Sequence, residues 1–419
     1  MSLYEPANGI LETHVTWEDV EKDLQNSLGT KATFGENKTA SNISDLKGFM
    51  SRIACVEPDW QNVEDGKKLP VRFALKISSQ LALVALSKML NFGGGNGFTE
   101  EKLKKFSKLT RKSHNIEVET YKVLTKFNHP DIPYTKVYSL KPFNGEDDLK
   151  GYLITDFIPN VHVIEAYKSI PADNIAATIR GIATFSALAE HLEREEQKSF
   201  MSTDFLELLF EDFFTDAELS KKFEALKTKF EGQQHAEKVS KLIKVFAHYK
   251  ALVKKYTNIS DLLGLKPVFI HGDLWQSNIM FTLDNSKKLK LEAIIDWQSV
   301  SRIPPGIDLS RIMLGCLSAQ ERRERGTELL KLYHETYAKV FGKELFTFQE
   351  LQDSYNLYAP MMAMLILPSL SSFLDSAQIS KEEKAAAAEE VNLKEVAMIE
   401  DILDIHESNL KKFSSFMEI

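Results

Sequence analysis

Eight residues, from His271 to Asn278, constrain the fold of this chain more than any other stretch. They read His-Gly-Asp-Leu-Trp-Gln-Ser-Asn, follow the apolar run 268–270 and precede the apolar run 279–281. A second acidic residue, Asp296, comes at the end of a further apolar run. Asp and Asn are common in ordinary turns, and a lone His-Gly-Asp would be interpreted as one. Three such groups in this order after short apolar runs instead indicate a chemical site.

These residue types are the ones that phosphoryl transfer from ATP needs. One carboxylate orients and deprotonates the attacking hydroxyl, while an Asn oxygen and a second carboxylate hold Mg²⁺ against the phosphates. The order of the motif therefore predicts that Asp273 is the catalytic carboxylate. It predicts Asn278 and Asp296 as the metal ligands.

Charge excludes some classes of partner. Among 419 residues, 52 are Lys or Arg and 60 are Asp or Glu, which gives a net charge of −8. A nucleic-acid-binding protein needs a clustered positive face, so nucleic acid is not expected as the main ligand. A small phosphorylated ligand needs only one or two cations, and it remains compatible with this composition.

The compartment is predicted from cysteines and apolar runs. The two cysteines, Cys55 and Cys316, are expected to be free thiols, which suits a reducing compartment. The first 20 residues show no secretory signal pattern. The uncharged stretch 358–374 contains Pro360 and Pro368 and is shorter than the ~20 residues of a membrane span, so a buried helix pair is expected there. We therefore expect a cytoplasmic protein without a membrane span.

Two regions of the chain differ in their periodicity. Residues 1–157 mix short strand-like runs with turns, and Val71, Phe73 and Leu75 show the alternation of a half-buried strand. The predicted elements are strands at 31–44, 51–57, 69–77, 134–140 and 152–157, a helix at 78–90, and a second helix that includes Ile116 and Phe127. This pattern predicts a small antiparallel sheet with a helix across it.

Residues 158–419 are typical of long helices. One helix is predicted over 238–256, and Ser380 with Glu383 forms a capping-box pattern before another. Strands are predicted only at 268–270, 279–281 and 289–295. The chain is therefore predicted to be α+β, with one domain at 1–157 and a mainly helical one at 158–419.

The motif at 271–281, with Asp296 and Trp297, resembles the choline-kinase and aminoglycoside-phosphotransferase branch of the protein-kinase-like fold. It is most similar to the CHK kinase-like group, which includes ecdysteroid kinases and nematode-type members. The run 305–310, Pro-Gly-Ile-Asp-Leu-Ser, resembles the stretch that follows the metal-binding Asp in this branch, and the resemblance extends from about residue 34 to 374. It implies a bilobal fold with a nucleotide-binding N-lobe and a C-lobe that carries the catalytic loop, the metal site and a helical substrate-binding insert at about 161–260.

The amino-terminal region contains candidates for the remainder of an ATP site. Lys76, in Val-Arg-Phe-Ala-Leu-Lys, matches the strand lysine that reaches the α- and β-phosphates. Its expected partner is a helix glutamate, and two acids are available. The family pattern favours Glu117, with Glu119 as the alternative.

Phosphate and adenine contacts are predicted less sharply. No G-x-G-x-x-G is present, so Gly48 and Ser51 are the candidates for a phosphate-covering loop. The glycine run at 93–97 follows a predicted helix and is interpreted as a connector. Asp156 and Phe157 are the candidates for a hinge whose backbone binds adenine, as the resemblance implies.

Four further residues near the motif receive structural interpretations. Trp275 and Trp297 are expected to pack in the core, with a substrate wall as the alternative. His271 is expected to be structural. Asp308 is expected to open a helix, and the resemblance implies that it braces the catalytic loop.

These features predict an ATP- and Mg²⁺-dependent phosphotransferase with a small-molecule alcohol as acceptor. A protein kinase is disfavoured because Gly272 stands where protein kinases carry Arg, and because no Ala-Pro-Glu segment follows Asp296. The alternative is a catalytically silent, kinase-like binding or scaffold protein. The substrate stays open, because the insert at 201–230 is both acidic and aromatic.

Overall fold

The computed structural model describes residues 1–44, 50–89, 97–200, 210–211 and 214–419. The chain forms two compact units. One comprises residues 1–128 and 134–160, and the other comprises residues 129–133 and 161–419. The division therefore falls after Asn160, three residues beyond the predicted boundary, and the segment 129–133 belongs with the second unit.

The first unit is built on an antiparallel sheet. Its strands are β1 (Thr33–Phe34), β2 (Thr39–Asn42), β3 (Ser51–Glu57), β4 (Trp60–Gln61), β5 (Phe73–Ser78), β6 (Val137–Lys141) and β7 (Tyr152–Asp156). Five of them form one sheet in the order β2-β3-β5-β7-β6, and β1 pairs with β4. The single strand predicted over 31–44 is wrong, because its residues form two strands with different partners: β1 pairs with β4 and β2 pairs with β3.

The central strand β5 separates the core from the candidate lysine. Phe73, Leu75 and Ile77 are buried in a cluster with Val20 and Leu24 of helix α1 (Trp17–Leu28). Side chains alternate between the two faces of a strand, so Lys76 leaves the sheet on the opposite face. The alternation predicted for this strand therefore places Lys76 away from the α1 core.

The predicted alternation fails at its first residue. Val71 is 82% exposed, because β5 begins only at Phe73. Phe73 pairs with Val56, and β3 ends one residue later, so no partner strand remains for Val71.

Among the residues that the structure describes, two helices follow β5 in the first unit. They are α2 (Leu81–Met89) and α3 (Glu100–Phe127). The predicted start of α2 at residue 78 is three residues early, since Ser78 is still paired with Ser51 in the sheet. Helix α3 begins at the cap Thr99 and buries Ile116, Glu117 and Tyr121, which confirms the predicted second helix.

The second unit is mainly helical, as predicted. Its helices are α4 (Ala172–Ala189), α5 (Arg194–Lys198), α6 (Asp216–Lys229), α7 (Ala236–Ala251), α8 (Val253–Thr257), α9 (Ile259–Leu263), α10 (Gly306–Cys316), α11 (Ala319–Phe341), α12 (Phe348–Ser376), α13 (Lys381–Lys412) and α14 (Ser414–Met417). Its strands are β8 (Val268–Ile270), β9 (Ile279–Leu283), β10 (Leu289–Ile294) and β11 (Ser301–Ile303). They form two antiparallel pairs, β8 with β11 and β9 with β10. The predicted α+β class is confirmed.

The helix predicted over 238–256 is divided into α7 and α8. The break lies at Leu252, whose N–H is shared between His248 O (3.3 Å) and Tyr249 O (3.1 Å). Shared bonds of this kind tighten the last turn of a helix. The capping box predicted at Ser380 and Glu383 is confirmed at the start of α13.

A single helix, α12, replaces the helix pair predicted around 358–374, although it contains Pro360 and Pro368. Proline at 360 leaves the Asn356 carbonyl without its helical donor. The Asn409 side-chain amide donates to that carbonyl at 2.8 Å, so a tertiary contact replaces the missing bond. Helix α12 has the length and composition of a membrane span. However, 72% of its most apolar 18-residue stretch is buried inside the protein, as in a core helix.

Candidate active site

The motif that begins at His271 forms a loop between β8 and a short 3₁₀ turn, Gln276–Asn278. Asp308, in the first turn of α10, fixes the start of this loop. Its carboxylate accepts the backbone N–H groups of His271 (2.7 Å) and Gly272 (2.9 Å). Asp308 is buried, and burial raises the pKa of its carboxyl group while these two hydrogen bonds oppose the rise. The contacts are those of the brace that was predicted.

Gly272 is required by the shape of the loop. Its φ is +83°, a conformation that L-residues with a side chain rarely adopt. A Cβ atom at this position would lie 2.2 Å from the carbonyl oxygen of Ser299. A residue with a side chain, including the Arg of protein kinases, would therefore not fit this backbone without movement of the loop or of Ser299.

His271 has a structural environment. Its side chain is fully buried, its Nδ1 accepts the Asp273 N–H (3.2 Å), and its Nε2 lies 3.0 Å from Ile295 O. Since Nδ1 accepts, Nε2 carries the proton and donates. The ring therefore ties the catalytic loop to the residue before Asp296, in agreement with the structural interpretation.

The Asp273 carboxylate is contacted on both oxygens. Oδ2 accepts from the Asn278 side-chain amide at 3.0 Å, and Oδ1 lies 2.5 Å from the guanidinium of Arg311. The same Asn278 amide also donates to Asp273 O at 2.8 Å. Arg311 was not among the predicted site residues, although its position three residues after Asp308 in a helix places both side chains on one helical face.

Asn278 and Asp296 are brought together by the backbone. The Ile295 N–H donates to Asn278 O at 3.0 Å, which fixes the chain immediately before Asp296. Asp296 has a φ of +64°, and its Oδ2 accepts from Gln298 Nε2 at 3.3 Å. A non-glycine residue in this region of backbone space is uncommon and often lies at a functional site.

The oxygen donors at this position fit a Mg²⁺ ion. Because the Asn278 NH₂ donates to Asp273, its Oδ1 is oriented as the free acceptor of the amide. Mg²⁺ binds carboxylate and carbonyl oxygens and commonly takes its remaining ligands from phosphate and water. Within the described part of the chain, no group of three or more His, Cys, Asp or Glu residues forms an all-protein metal site. Asn278 and Asp296 instead match a Mg²⁺ site in which phosphate and water supply the remaining ligands.

In the first unit, Lys76 pairs with a glutamate of α3. Its Nζ lies 2.8 Å and 2.7 Å from the two carboxylate oxygens of Glu117. The side chains are 16% and 2% exposed, so the pair is largely removed from water. Glu119, the alternative, instead pairs with Lys122 near the surface. The geometry selects Glu117 as the partner, as the prediction preferred.

The candidates for phosphate contact are described only in part. Gly48 lies outside the described residues, as do residues 93–96 of the glycine run. Ser51 is 6% exposed and begins β3, where it pairs with Ser78. A phosphate contact from Ser51 stays a prediction.

The hinge candidates lie at the end of β7. Asp156 is its last residue, and its N–H donates to Lys136 O at 2.8 Å. Its side chain accepts from Tyr138 Oη at 3.0 Å, and burial, with the nearby Asp156 charge, raises the pKa of Tyr138 to about 12. An adenine contact here would need other backbone groups, such as those of Phe157.

The two tryptophans beside the motif differ in burial. Trp297 is completely buried and packs against Phe185 and His271, as core packing predicts. Trp275 is half-buried, and its ring centroid lies 6.3 Å from that of Phe373, which is 40% exposed. Trp275 therefore retains the alternative interpretation of a substrate wall.

The acidic and aromatic insert can be described at few positions. Residues 201–209 and 212–213 lie outside the described part of the chain. Phe210 is buried, and its ring centroid lies 6.4 Å from that of Phe214. These two residues are consistent with helix-core packing.

The strand lysine paired with a helix glutamate, and the loop that carries Asp273 and Asn278 ahead of Asp296, define a kinase-like α+β fold. Residues 3–410 match the DUF1679 family, whose description reads "Uncharacterized oxidoreductase dhs-27". The chain belongs to this family. The word oxidoreductase in the family description refers to dhs-27.

A relative from Caenorhabditis elegans, "Uncharacterized kinase-like protein D1044.1", is 29% identical over 150 residues. This match covers 34% of the present chain and 39% of that protein's length. Its printed name agrees with the kinase-like fold, but the match spans well under half of either chain.

Solved structures of similar architecture include two small-molecule phosphotransferases. Plasmodium vivax ethanolamine kinase is 12% identical, with 89% of this chain and 84% of that chain covered and a TM-score of 0.40. A spectinomycin phosphotransferase in complex with ADP and spectinomycin is 14% identical, with 92% and 98% covered and a TM-score of 0.40.

Proposed function

We propose that the protein is an ATP-dependent kinase that transfers the γ-phosphoryl group to a hydroxyl of a small organic molecule. The arrangement of the catalytic loop carries this proposal. Asp273 is held beside Asn278 at 3.0 Å, and Asn278 is joined through its carbonyl to the residue before Asp296. The side chains that we propose as the catalytic carboxylate and the two metal ligands therefore lie in one unit of the chain.

In the proposed reaction, the substrate hydroxyl donates its proton to the Asp273 carboxylate as its oxygen bonds to the γ-phosphorus. The bond between the γ-phosphorus and the bridging oxygen breaks, and ADP leaves with the electron pair of that bond. Asp273 then releases its proton to solvent. Asn278 and Asp296 would hold a Mg²⁺ ion, which supplies positive charge against the phosphates when it is bound.

Lys76 is proposed to contact the α- and β-phosphates. Its amine carries the positive charge, and the buried Glu117 holds the amine in place at 2.7 Å. The other proposed nucleotide contacts are Gly48 and Ser51 for the phosphates and the hinge residues Asp156 and Phe157 for adenine. Lys76 belongs to the first unit and Asp273 to the second.

We also propose a group within the kinases, a type of reaction and a cellular location for this protein. They are membership of the CHK kinase-like group, similarity of the reaction to choline or ecdysteroid phosphorylation, and a cytoplasmic location. The free thiols of Cys55 and Cys316 support the location, because a reducing compartment preserves free thiols. The motif from His271 to Asn278 supports membership of the group.

The test is substrate-dependent ADP release by the purified chain with Mg-ATP and a panel of hydroxylated metabolites. Asp273→Asn keeps the side-chain shape but removes the base, so turnover should fall roughly 10²- to 10⁴-fold while ATP binding persists. Arg325→Met is a matched control, because Arg325 pairs with two well-exposed acids, Asp173 and Glu328, on the surface of the second unit. It should leave turnover unchanged.

Two outcomes would contradict the proposal in different ways. Clear ATP binding without ADP release from any alcohol would favour the silent, kinase-like binding protein. Turnover by Asp273→Asn close to that of the unmodified protein would mean that Asp273 is not the catalytic carboxylate.

A further inference from the structure

The catalytic carboxylate of the proposed kinase has a cationic neighbour. The Arg311 guanidinium lies 2.5 Å from Asp273 Oδ1, and it is the only cation that forms an ion pair with Asp273 among the described residues. The two side chains are 20% and 23% exposed, so the pair lies in a partly open position. A molecule that brings its hydroxyl to Asp273 must therefore approach a guanidinium as well.

The position of Arg311 is fixed by the same helix that braces the loop. Asp308 and Arg311 lie three residues apart in α10, on one helical face. Asp308 holds the loop backbone at His271 and Gly272, and Arg311 holds the side chain of Asp273. Helix α10 therefore contacts the loop at two places, and the position of the guanidinium is fixed relative to Asp273.

Arg311 retains hydrogen-bonding capacity after it has paired with Asp273. A guanidinium has five N–H donors in a planar fork, which matches a carboxylate or phosphate in a bidentate arrangement. In the described part of the chain, its one ion-pair partner is Asp273. The remaining donors can therefore bind an anionic group on a substrate whose hydroxyl contacts Asp273.

A positive charge on the substrate would meet the opposite situation. An ammonium group within a few ångströms of the Asp273 carboxylate would also lie beside the Arg311 guanidinium. Like charges at about 4 Å repel, and the repulsion grows as water is excluded. The single negative charge of Asp273 is already shared with Arg311, so it offers a cationic substrate little compensation.

We propose that Arg311 selects alcohols that carry an anionic group near the reacting hydroxyl and disfavours cationic alcohols. The proposal rests on the proposed kinase function and narrows its substrate class: the reaction would resemble choline or ecdysteroid phosphorylation in its chemistry, but its acceptor would be an anionic alcohol and not a cationic one such as choline. The hydroxyl donates to Asp273, and a carboxylate or phosphate of the same molecule accepts from Arg311. Arg311 acts here as a specificity residue in contact with substrate.

The experiment compares matched alcohols that differ only in the charge of a second group. Hydroxy acids, amino alcohols and the corresponding neutral diols, on short aliphatic chains and on a benzyl alcohol scaffold, are assayed by ADP release with Mg-ATP. The unmodified protein should show a kcat/KM at least about tenfold higher for the anionic than for the cationic member of each set. Arg311→Met should remove that preference chiefly by raising KM for the anionic alcohols.

Two further variants separate charge from structure. Arg311→Lys keeps the charge but loses the planar fork, so it should retain part of the preference. Arg325→Met, a surface variant in the same unit, should retain all of it. If Arg311 only positioned Asp273, then Arg311→Met would lower kcat equally for anionic, neutral and cationic alcohols, and the specificity proposal would be wrong.

The remaining outcomes distinguish the specificity proposal from the proposed kinase function on which it rests. ADP release with cationic alcohols at least as efficient as with anionic ones would overturn the specificity of Arg311 and leave the kinase function standing. No ADP release with any alcohol would contradict the kinase function itself, and the specificity proposal would fall with it.

Discussion

At the scale of single residues, the pairing of Lys76 with Glu117 gives a sharp contrast between two neighbouring acids. Glu117 is buried against Lys76, whereas Glu119 is 39% exposed and pairs with Lys122. Glu117→Gln should weaken ATP binding by about tenfold or more, because it removes the carboxylate charge that lies against the largely buried Lys76 amine. Glu119→Gln should change it by less than about twofold, as expected of an exposed pair.

Isothermal calorimetry with Mg-ATP measures both affinities under identical conditions. The melting temperature of each variant shows whether the fold is retained. Equal loss of affinity in the two variants would mean that Glu117 has no special part in holding the lysine.

Gly272 allows a second test at a single position. Gly272→Ala must relieve both a φ of +83° and a contact of 2.2 Å with Ser299 O. The free energy of unfolding should fall by roughly 2–4 kcal/mol, since backbone strain and a steric clash add. Gly232→Ala is the control, because Gly232 also has a positive φ (+71°) but no atom within 4 Å of the added Cβ. It should cost about 1 kcal/mol.

Urea denaturation of both variants gives the comparison. A cost for Gly272→Ala no larger than that for Gly232→Ala would show that the loop can move away from Ser299. The catalytic loop would then be less constrained than its hydrogen bonds indicate.

At the scale of elements, His114 links helix α3 to the sheet of the first unit. Its Nδ1 lies 2.8 Å from Ser78 Oγ at the end of β5, and its Nε2 lies 2.7 Å from Lys141 O at the end of β6. The carbonyl can only accept, so Nε2 donates and Nδ1 accepts from the serine. Burial lowers the pKa of His114 to about 4.

This pKa predicts a loss of stability in acid. Below pH 6.5 the unfolded chain binds a proton at His114 while the folded chain does not, so the free energy of unfolding falls until the pH reaches about 4. At about 1.4 kcal/mol per pH unit, the full loss is on the order of 3 kcal/mol. His114→Gln cannot titrate, so it should be less stable at pH 7 but lose less on acidification.

Urea denaturation at several pH values between about 7 and 4.5 tests this difference. His406, whose pKa is also lowered by burial, remains in both proteins, and its contribution cancels in the comparison. Parallel pH profiles for the two proteins would contradict the expected role of His114.

The elements that could be predicted from the sequence are those whose pattern is local. Alternation of apolar residues predicted β5 and hence the face from which Lys76 leaves. The limits of elements depended on partners distant in sequence. Val71 is exposed because β3 ends near it, and α12 continues through Pro360 because Asn409 binds the free carbonyl of Asn356.

The residues of the candidate site also fall into those indicated by a local pattern and one that depends on tertiary packing. Asp273 and Asn278 share a motif, and Asp296 follows at the end of the next apolar run, so the sequence alone indicated all three. Arg311 lies outside that motif, and its contact with Asp273 depends on how α10 packs against the catalytic loop. No local periodicity fixes that packing, although the spacing of Asp308 and Arg311 places them on one helical face.

At the scale of the whole molecule, net charge opposes the ligand that the proposed function requires. The chain carries −8, and ATP is itself an anion, so long-range electrostatics disfavour their association. Affinity must therefore come from positive charge supplied locally. Lys76 would be one source, and a Mg²⁺ ion held by Asn278 and Asp296 would be the other.

ATP should consequently bind at least about tenfold more weakly when Mg²⁺ is removed by a chelator, since the remaining cation at the phosphates would be Lys76. Asp296→Ala with Mg²⁺ present should resemble the unmodified protein with chelator, because each lacks the same metal contact. Calorimetry in the two conditions measures both affinities. Equal ATP affinity with and without chelator would show that Asn278 and Asp296 hold no metal for the nucleotide. The kinase proposal would then lose the feature that distinguishes this loop from an ordinary turn.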